Sequence, residues 1–177
     1  MAADRRGAAR RAAFGGLLAA LSVVVLWLGG LLPGYVIAAA AVAGLLPAAA
    51  VLEGGVGLGA AVFGVSAVLG LLLLPEKAAG IWYLAFFGWY SLLKSWLERR
   101  RSRALEWALK ACAYTAAFLA LYFLARGAFS ALTDLVPWGV PAAYALGLGA
   151  FVLYDIGFSR LIGLYLRRIR RNFGKGE

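Results

Sequence analysis

Histidine is absent from this sequence, cysteine occurs once, as Cys112, and acidic residues number only eight. Without histidine there is no Ser-His-Asp or Cys-His nucleophile, no HExxH zinc motif and no imidazole ligation of haem. A single cysteine set inside an apolar run supplies neither a disulfide framework nor a thiolate metal site. A glycine-rich phosphate loop of the Walker type is missing as well, so ATP-driven work would fall to another chain. These absences predict no enzymatic activity, no cofactor and no metal.

Apolar surface is what the chain has in abundance. Of its 177 residues, 64% are hydrophobic and 15% charged, and the mean hydropathy is +0.85. A water-soluble chain of this size has no interior large enough to hide that much apolar surface. The apolar runs recur along the whole chain and are long enough to cross a hydrocarbon core of ~30 Å, which takes roughly 20 helical residues. The predicted fold class is therefore an all-α integral membrane protein, a compact bundle of about six transmembrane helices. The formal net charge of +10 would suit nucleic acid. Its arginines, however, stand in short clusters between apolar runs, as topology signals do, so the expected partner is the lipid bilayer and not nucleic acid.

A basic N-terminus (1–13) leads into a transmembrane domain (14–166), and a basic tail (167–177) closes the chain. The first span runs from about Phe14 to Leu32. The "RRAAF" before it looks like a twin-arginine export signal, but the apolar run exceeds the roughly 7 to 15 residues of a cleaved signal, which predicts an uncleaved first helix. Further spans are Tyr35 to Val51, interrupted by Pro47; Gly57 to Leu74, closed by "PEK"; Ala78 to Leu97; Ala104 to Leu124; and Ala142 to about Tyr165. Whether the second and third are continuous stays open. With six spans, the termini and the second and fourth loops share one side. That side collects Arg5, Arg6, Arg10, Arg11, Arg99, Arg100, Arg101, Arg103, Arg167, Arg168, Arg170, Arg171 and Lys175, against Lys77 and Arg126 on the other. The bias of Lys and Arg towards cytoplasmic loops then puts both termini in the cytoplasm.

A few charges fall inside the apolar runs. Lys94 and Glu98 are spaced i, i+4 on the fourth span, and Glu106 and Lys110 likewise on the fifth, so each pair can neutralise itself within one helix. On the sixth span Asp155 lies deeper than Arg160. An acid at mid-membrane costs ~2.5–3.5 kcal/mol on insertion scales and calls for a partner; Lys94 and Lys110, at similar depth, are the candidates. The competing readings are a Lys94 that snorkels to the interface and an Asp155 that carries protons, although no second deep acid is present to relay them.

Small residues at four-residue spacing let membrane helices approach closely. Ala12, Gly16 and Ala20 line one face of the first helix, with Gly15 and Ala19 beside them, and similar pairs recur in the third span (Gly55 and Gly59, Ser66 and Gly70) and the sixth (Ala143 and Gly147). Trp82, Tyr83, Tyr122, Trp138, Tyr144 and Tyr35 fall towards the outer ends of their spans. They suit a lipid-facing aromatic belt. The alternative is an outward pocket closed by the Arg126 to Pro141 loop, with Arg126 and Asp134 as polar handles.

"RRAAFGGLLAALSVVVLWL" looks like the opening of the substrate-binding S components of energy-coupling factor (ECF) transporters, and "LLLPEKAAGIWYLAFFGWYSLLKSWLE" resembles a poorly characterised branch of that superfamily. In size, basic balance and layout the likeness covers nearly the whole chain. The resemblance implies a bacterial inner-membrane bundle that captures a small nutrient from outside, associates with a transmembrane coupling subunit and two ATPases, and topples to release the ligand inside. By that analogy Ala12, Gly16 and Ala20 dock on the coupling subunit, and the outer parts of helices four to six hold the ligand. The first connection, "LLPGY", is short for a pocket-closing loop, and polar side chains are scarce in the proposed pocket. A non-transporting membrane scaffold, similar in size and helix count to the rod-shape protein MreD, is the alternative.

If Asp155 neutralises a lysine, Asp155→Asn lowers thermal stability, and the further loss is smaller in a Lys94→Ala or Lys110→Ala background. Thermal melts of the double mutants check this; strict additivity in both removes the pairing.

Overall fold

The computed structural model describes residues 2–32, 34–97, 103–124, 130 and 139–173, with side chains over 7–32, 34–97, 104–123, 130 and 139–164. Glu98, Arg126, Asp134 and Trp138 lie outside the described residues. Regular structure among those described is helical throughout. The elements are α1 (Ala2–Leu31), α2 (Val36–Ala43), α3 (Leu45–Gly54), α4 (Val56–Leu73), α5 (Lys77–Trp82), a π-helical turn (Tyr83–Phe87), α6 (Gly88–Leu97), α7 (Arg103–Leu124) and α8 (Gly139–Phe173). Five stretches are long and apolar enough to cross a membrane: Gly7–Leu31, Val36–Gly54, Val56–Leu73, Ala104–Phe123 and Gly139–Leu164.

The stretch missing from those five is Lys77–Leu97, where the sequence predicts the fourth span. Its backbone is helical from end to end, but tryptophan, tyrosine and Lys94 lower its hydropathy. Burial compensates. Ala79, Tyr83, Phe86, Tyr90, Ser91, Lys94 and Leu97 are all buried, so this helix is solvated largely by protein.

The second span breaks at Gly44, between α2 and α3, and not at Pro47. Pro47 is the third residue of α3, within the first turn, where backbone N–H groups have no intrahelical acceptor, so a missing donor costs nothing. Gly44 itself keeps a right-handed conformation, with its N–H bonded to the Ala40 carbonyl. It has to be glycine because a Cβ there would lie 2.9 Å from the Phe87 carbonyl carbon. Gly55, with φ +83°, is the single residue linking α3 to α4. At the far end of α4, Leu74 is extended (ψ 132°), as the residue before Pro75 should be.

Helix extends into both basic ends over the described residues. α1 begins at Ala2, and α8 runs on through Arg167–Arg171 to Phe173. With 30 residues, α1 is about 45 Å long at 1.5 Å per residue, more than a hydrocarbon core needs.

The chain divides into two units, Met1–Ser130 and Ala131–Glu177. In the first, α1 packs on α2, α3, α4 and α5, α4 on α3, α5 and α6, and α7 reaches the π turn. Its interior has two layers. Leu18, Ala19, Ala50 and Val62 form one; Leu26, Ala40, Ala43, Ala67, Leu74, Ala79 and Tyr83 form the other. Alanine makes up half of the first layer and most of the second, because small side chains let backbones approach, the main source of packing energy where lipid removes the hydrophobic drive. In the second unit, Ala143, Phe151, Asp155 and Phe158 share a buried stripe on α8. The remaining faces are strongly apolar and uncovered, with Leu72 70% and Leu153 73% exposed.

Glycine positions separate packing from mere composition. A Cβ on Gly88 would lie 2.5 Å from the Phe63 ring and 2.9 Å from Tyr83 Cζ, whereas one on Gly64 meets nothing within 4 Å. Gly88→Ala is expected to lower stability in detergent by ~1–3 kcal/mol, as overpacking does, while Gly64→Ala is neutral or slightly stabilising through helix propensity. Thermal denaturation of the two variants checks the contrast.

Candidate functional site

The first unit buries several hydroxyls. Ser22 of α1, Ser66 of α4 and Tyr83 of the π turn are completely buried. Ser66 Oγ–H donates to the Val62 carbonyl at 2.6 Å, the helical back-bond that satisfies a serine in an apolar run. The Tyr83 hydroxyl is then the donor in the 2.7 Å contact between the two side chains. The Ser66–Tyr83 bond thereby ties α4 to the π turn through groups that lipid cannot satisfy. Ser22 bonds back to the Leu18 carbonyl of its own helix at 3.0 Å.

The π turn aims the aromatic side chains. Its defining bond runs from the Gly88 N–H to the Tyr83 carbonyl, and the Trp89 indole N–H donates to the Ala85 carbonyl at 2.8 Å. Phe86 stacks on Tyr90, with ring centroids 5.1 Å apart at 22°, and meets Tyr114 of α7 edge-on at 6.3 Å and 87°. Tyr114 in turn lies against Phe118. Such turns often mark functional places in helices; here it turns an aromatic wall towards α7.

Among the described residues three charged side chains are nearly inaccessible: Lys94 at 1%, Lys110 at 2% and Asp155 at 3% relative exposure. Lys110 Nζ pairs with Glu106 Oε1 at 2.7 Å along α7, and its ammonium sits 5.2 Å from the centroid of the Trp107 ring. Arg160 is exposed on α8.

The residues expected to bind substrate are dispersed in character. Tyr83 is a core residue engaged with Ser66, and Trp82 is half-buried against the same core layer. Tyr122 stands at the protein surface, 36% exposed, edge-on to Phe123. Tyr144 is half-buried on α8 in the second unit. On α1, Gly15, Leu18, Ala19, Ser22, Leu26 and Gly29 form the buried face, while Ala12, Gly16 and Ala20 are exposed. No group of three or more potential metal-ligating side chains occurs among the described residues.

Sequence reasoning missed the buried hydroxyls. Ser22 and Ser66 are the only hydroxyl residues in the apolar runs of α1 and α4; Ser66 uses its hydroxyl between segments and Ser22 within its own helix, and Ser66 registered only as a small packing residue.

In a double-mutant cycle, Tyr83→Phe is expected to cost about 1 kcal/mol, one intramolecular hydrogen bond. Ser66→Ala and Tyr83→Phe should show a coupling of ~0.5–3 kcal/mol in detergent melts; simple additivity would remove the bond from the energetics. Compared with known proteins, the chain matches no family model, no curated protein and no solved structure.

Proposed function

We propose that this chain is the membrane-embedded substrate-capture subunit of an ECF-type importer for a small nutrient or vitamin-like molecule, energised by separate ATPase subunits. The observation that carries the reading is the division of small residues on α1. Gly15 and Ala19 are consumed by packing inside the unit, where a Cβ on Gly15 would lie 2.8 Å from Leu58 Cδ1, whereas Ala12, Gly16 and Ala20 stay uncovered, with nothing within 4 Å of a Cβ on Gly16. A smooth uncovered face one residue away from a used one suits close approach by a helix of a coupling subunit.

The same proposal includes six spans, both termini in the cytoplasm and a bacterial inner membrane. Lys77–Leu97, at 21 residues, has the length of a sixth span despite its polar content. The start of α1 and the α3–α4 connection line a common cleft, the neighbourhood that an up-and-down order of spans requires.

A second reading, the non-transporting membrane scaffold, is favoured by Tyr83. A ring this completely enclosed, with its hydroxyl engaged by Ser66, belongs to structure and leaves an outward pocket with one aromatic fewer.

Native mass spectrometry of the detergent-purified protein from its own host, with tagged pull-down from the same membranes, separates the two. The importer predicts a retained small molecule and co-purifying coupling and ATPase subunits. Ala12, Gly16 and Ala20 changed together to valine should abolish that co-purification and leave the isolated protein folded. An empty chain that brings down cell-envelope machinery supports the scaffold instead.

A further inference from the structure

In the first unit, Gly7, Arg10, Arg11 and Phe14 of α1 face Glu53 near the end of α3 and Leu58 of α4 across a cleft of about 420 Å³. Its shape follows from glycine placement. At Gly15 the helices touch, with a would-be Cβ 2.8 Å from Leu58 Cδ1, whereas two turns earlier at Gly7 a Cβ would meet nothing within 4 Å. The space is therefore a wedge, closed at Gly15 and open at Gly7. Residues 7, 10, 11 and 14 recur at helical spacing along one face, which sets two guanidinium groups towards the mouth and Phe14 nearer the apex.

The walls pair opposite preferences. Phe14 and Leu58 are half-buried and apolar, while Arg10, Arg11 and Glu53 are exposed. A simple water-soluble anion has no use for the apolar apex. An acyl chain alone has no use for two guanidinium groups, whose planar forks match phosphate oxygens in bidentate fashion. A glycerophospholipid has both parts in the right order, and basic pockets between membrane helices suit anionic head groups.

We propose that this wedge binds an anionic glycerophospholipid, its phosphate held by Arg10 and Arg11 and its glycerol and first acyl carbons against Phe14 and Leu58. Glu53 weakens the phosphate contact through like charge and keeps the lipid exchangeable. The site is independent of transport and stands whether the chain is a capture subunit or a scaffold.

The test is native mass spectrometry of delipidated full-length protein titrated with phosphatidylglycerol, phosphatidylethanolamine or inorganic phosphate, with thermal melts in parallel. Phosphatidylglycerol should give the most persistent adduct and raise the melting temperature, and inorganic phosphate should do neither. Arg10→Gln with Arg11→Gln should cut phosphatidylglycerol retention about thirtyfold. Glu53→Gln should raise it, a direction that misfolding does not produce, and Arg160→Gln on α8 should leave it unchanged. Loss of retention in Arg160→Gln equal to that in the arginine pair would reduce the effect to net charge and overturn the site. A Glu53→Gln variant that loses lipid, with phosphatidylethanolamine the preferred adduct, would mean that the carboxylate holds an ammonium and overturn the anionic assignment. Protection by inorganic phosphate equal to that by lipid would make the wedge a free-anion site and overturn the lipid.

Discussion

A phenol buried without a hydrogen-bond partner costs several kcal/mol in an apolar surrounding, and this requirement fixes where the Lys77–Leu97 helix lies against α4. Tyr83 meets it through Ser66, and Ser66 is available because its own proton goes to the Val62 carbonyl. The π turn begins at Tyr83. From it follow the seating of Gly88 against Phe63 and Tyr83, and of Gly44 against the Phe87 carbonyl, and the turning of Phe86 towards Tyr90 and Tyr114. No side-chain nitrogen or oxygen buried among the described residues is left without a partner. The accounting is strict because lipid offers no substitute.

The molecule handles its two kinds of polar group differently. One pair of hydroxyls, Ser66 and Tyr83, is brought inside and spent on joining helical segments, while Ser22 and Ser91 bond back to carbonyls of their own helices. Charges are mostly expelled to helix ends, where α1 and α8 carry their arginines on extra turns. Lys94, Lys110 and Asp155 are the exceptions, and one of them shows how burial is sustained: Lys110 is flanked by the Glu106 carboxylate and the Trp107 ring on its own helix.

Element positions were largely legible in the sequence because long apolar runs bounded by Gly, Pro and Arg leave few choices. The stretch read as Gly57–Leu74 is helical over Val56–Leu73, and the stretch read as Ala104–Leu124 is helical over Arg103–Leu124. The Gly44 break was not legible, since Pro47 is the louder signal and the need for glycine arises from Phe87, distant in sequence. The π turn was hidden for a similar reason: nothing local in "YLAFF" announces it. For the candidate site, the small-residue spacing on α1 was readable, but not which of its two neighbouring stripes is exposed, since Gly15 and Ala19 share the spacing of Gly16 and Ala20 and are buried; nor was the burial of Tyr83, because an interfacial tyrosine and a core tyrosine look alike until the facing serine is known. The cleft at Arg10 and Arg11 required knowing that Glu53 and Leu58 lie across from them.

The connections among the first four helical segments are very short. A single residue, Gly55, joins α3 to α4, and Gly34, with φ +86°, lies between α1 and α2. The helices so joined are also the ones that pack on each other, α1 on α2 and α3 on α4. Native contacts are thus mostly local in sequence, a topology of low contact order with little loop-closure entropy to overcome. During synthesis each helical hairpin can close as soon as its second member emerges, before anything downstream exists, so the order in which the chain is made is also an order in which it can assemble.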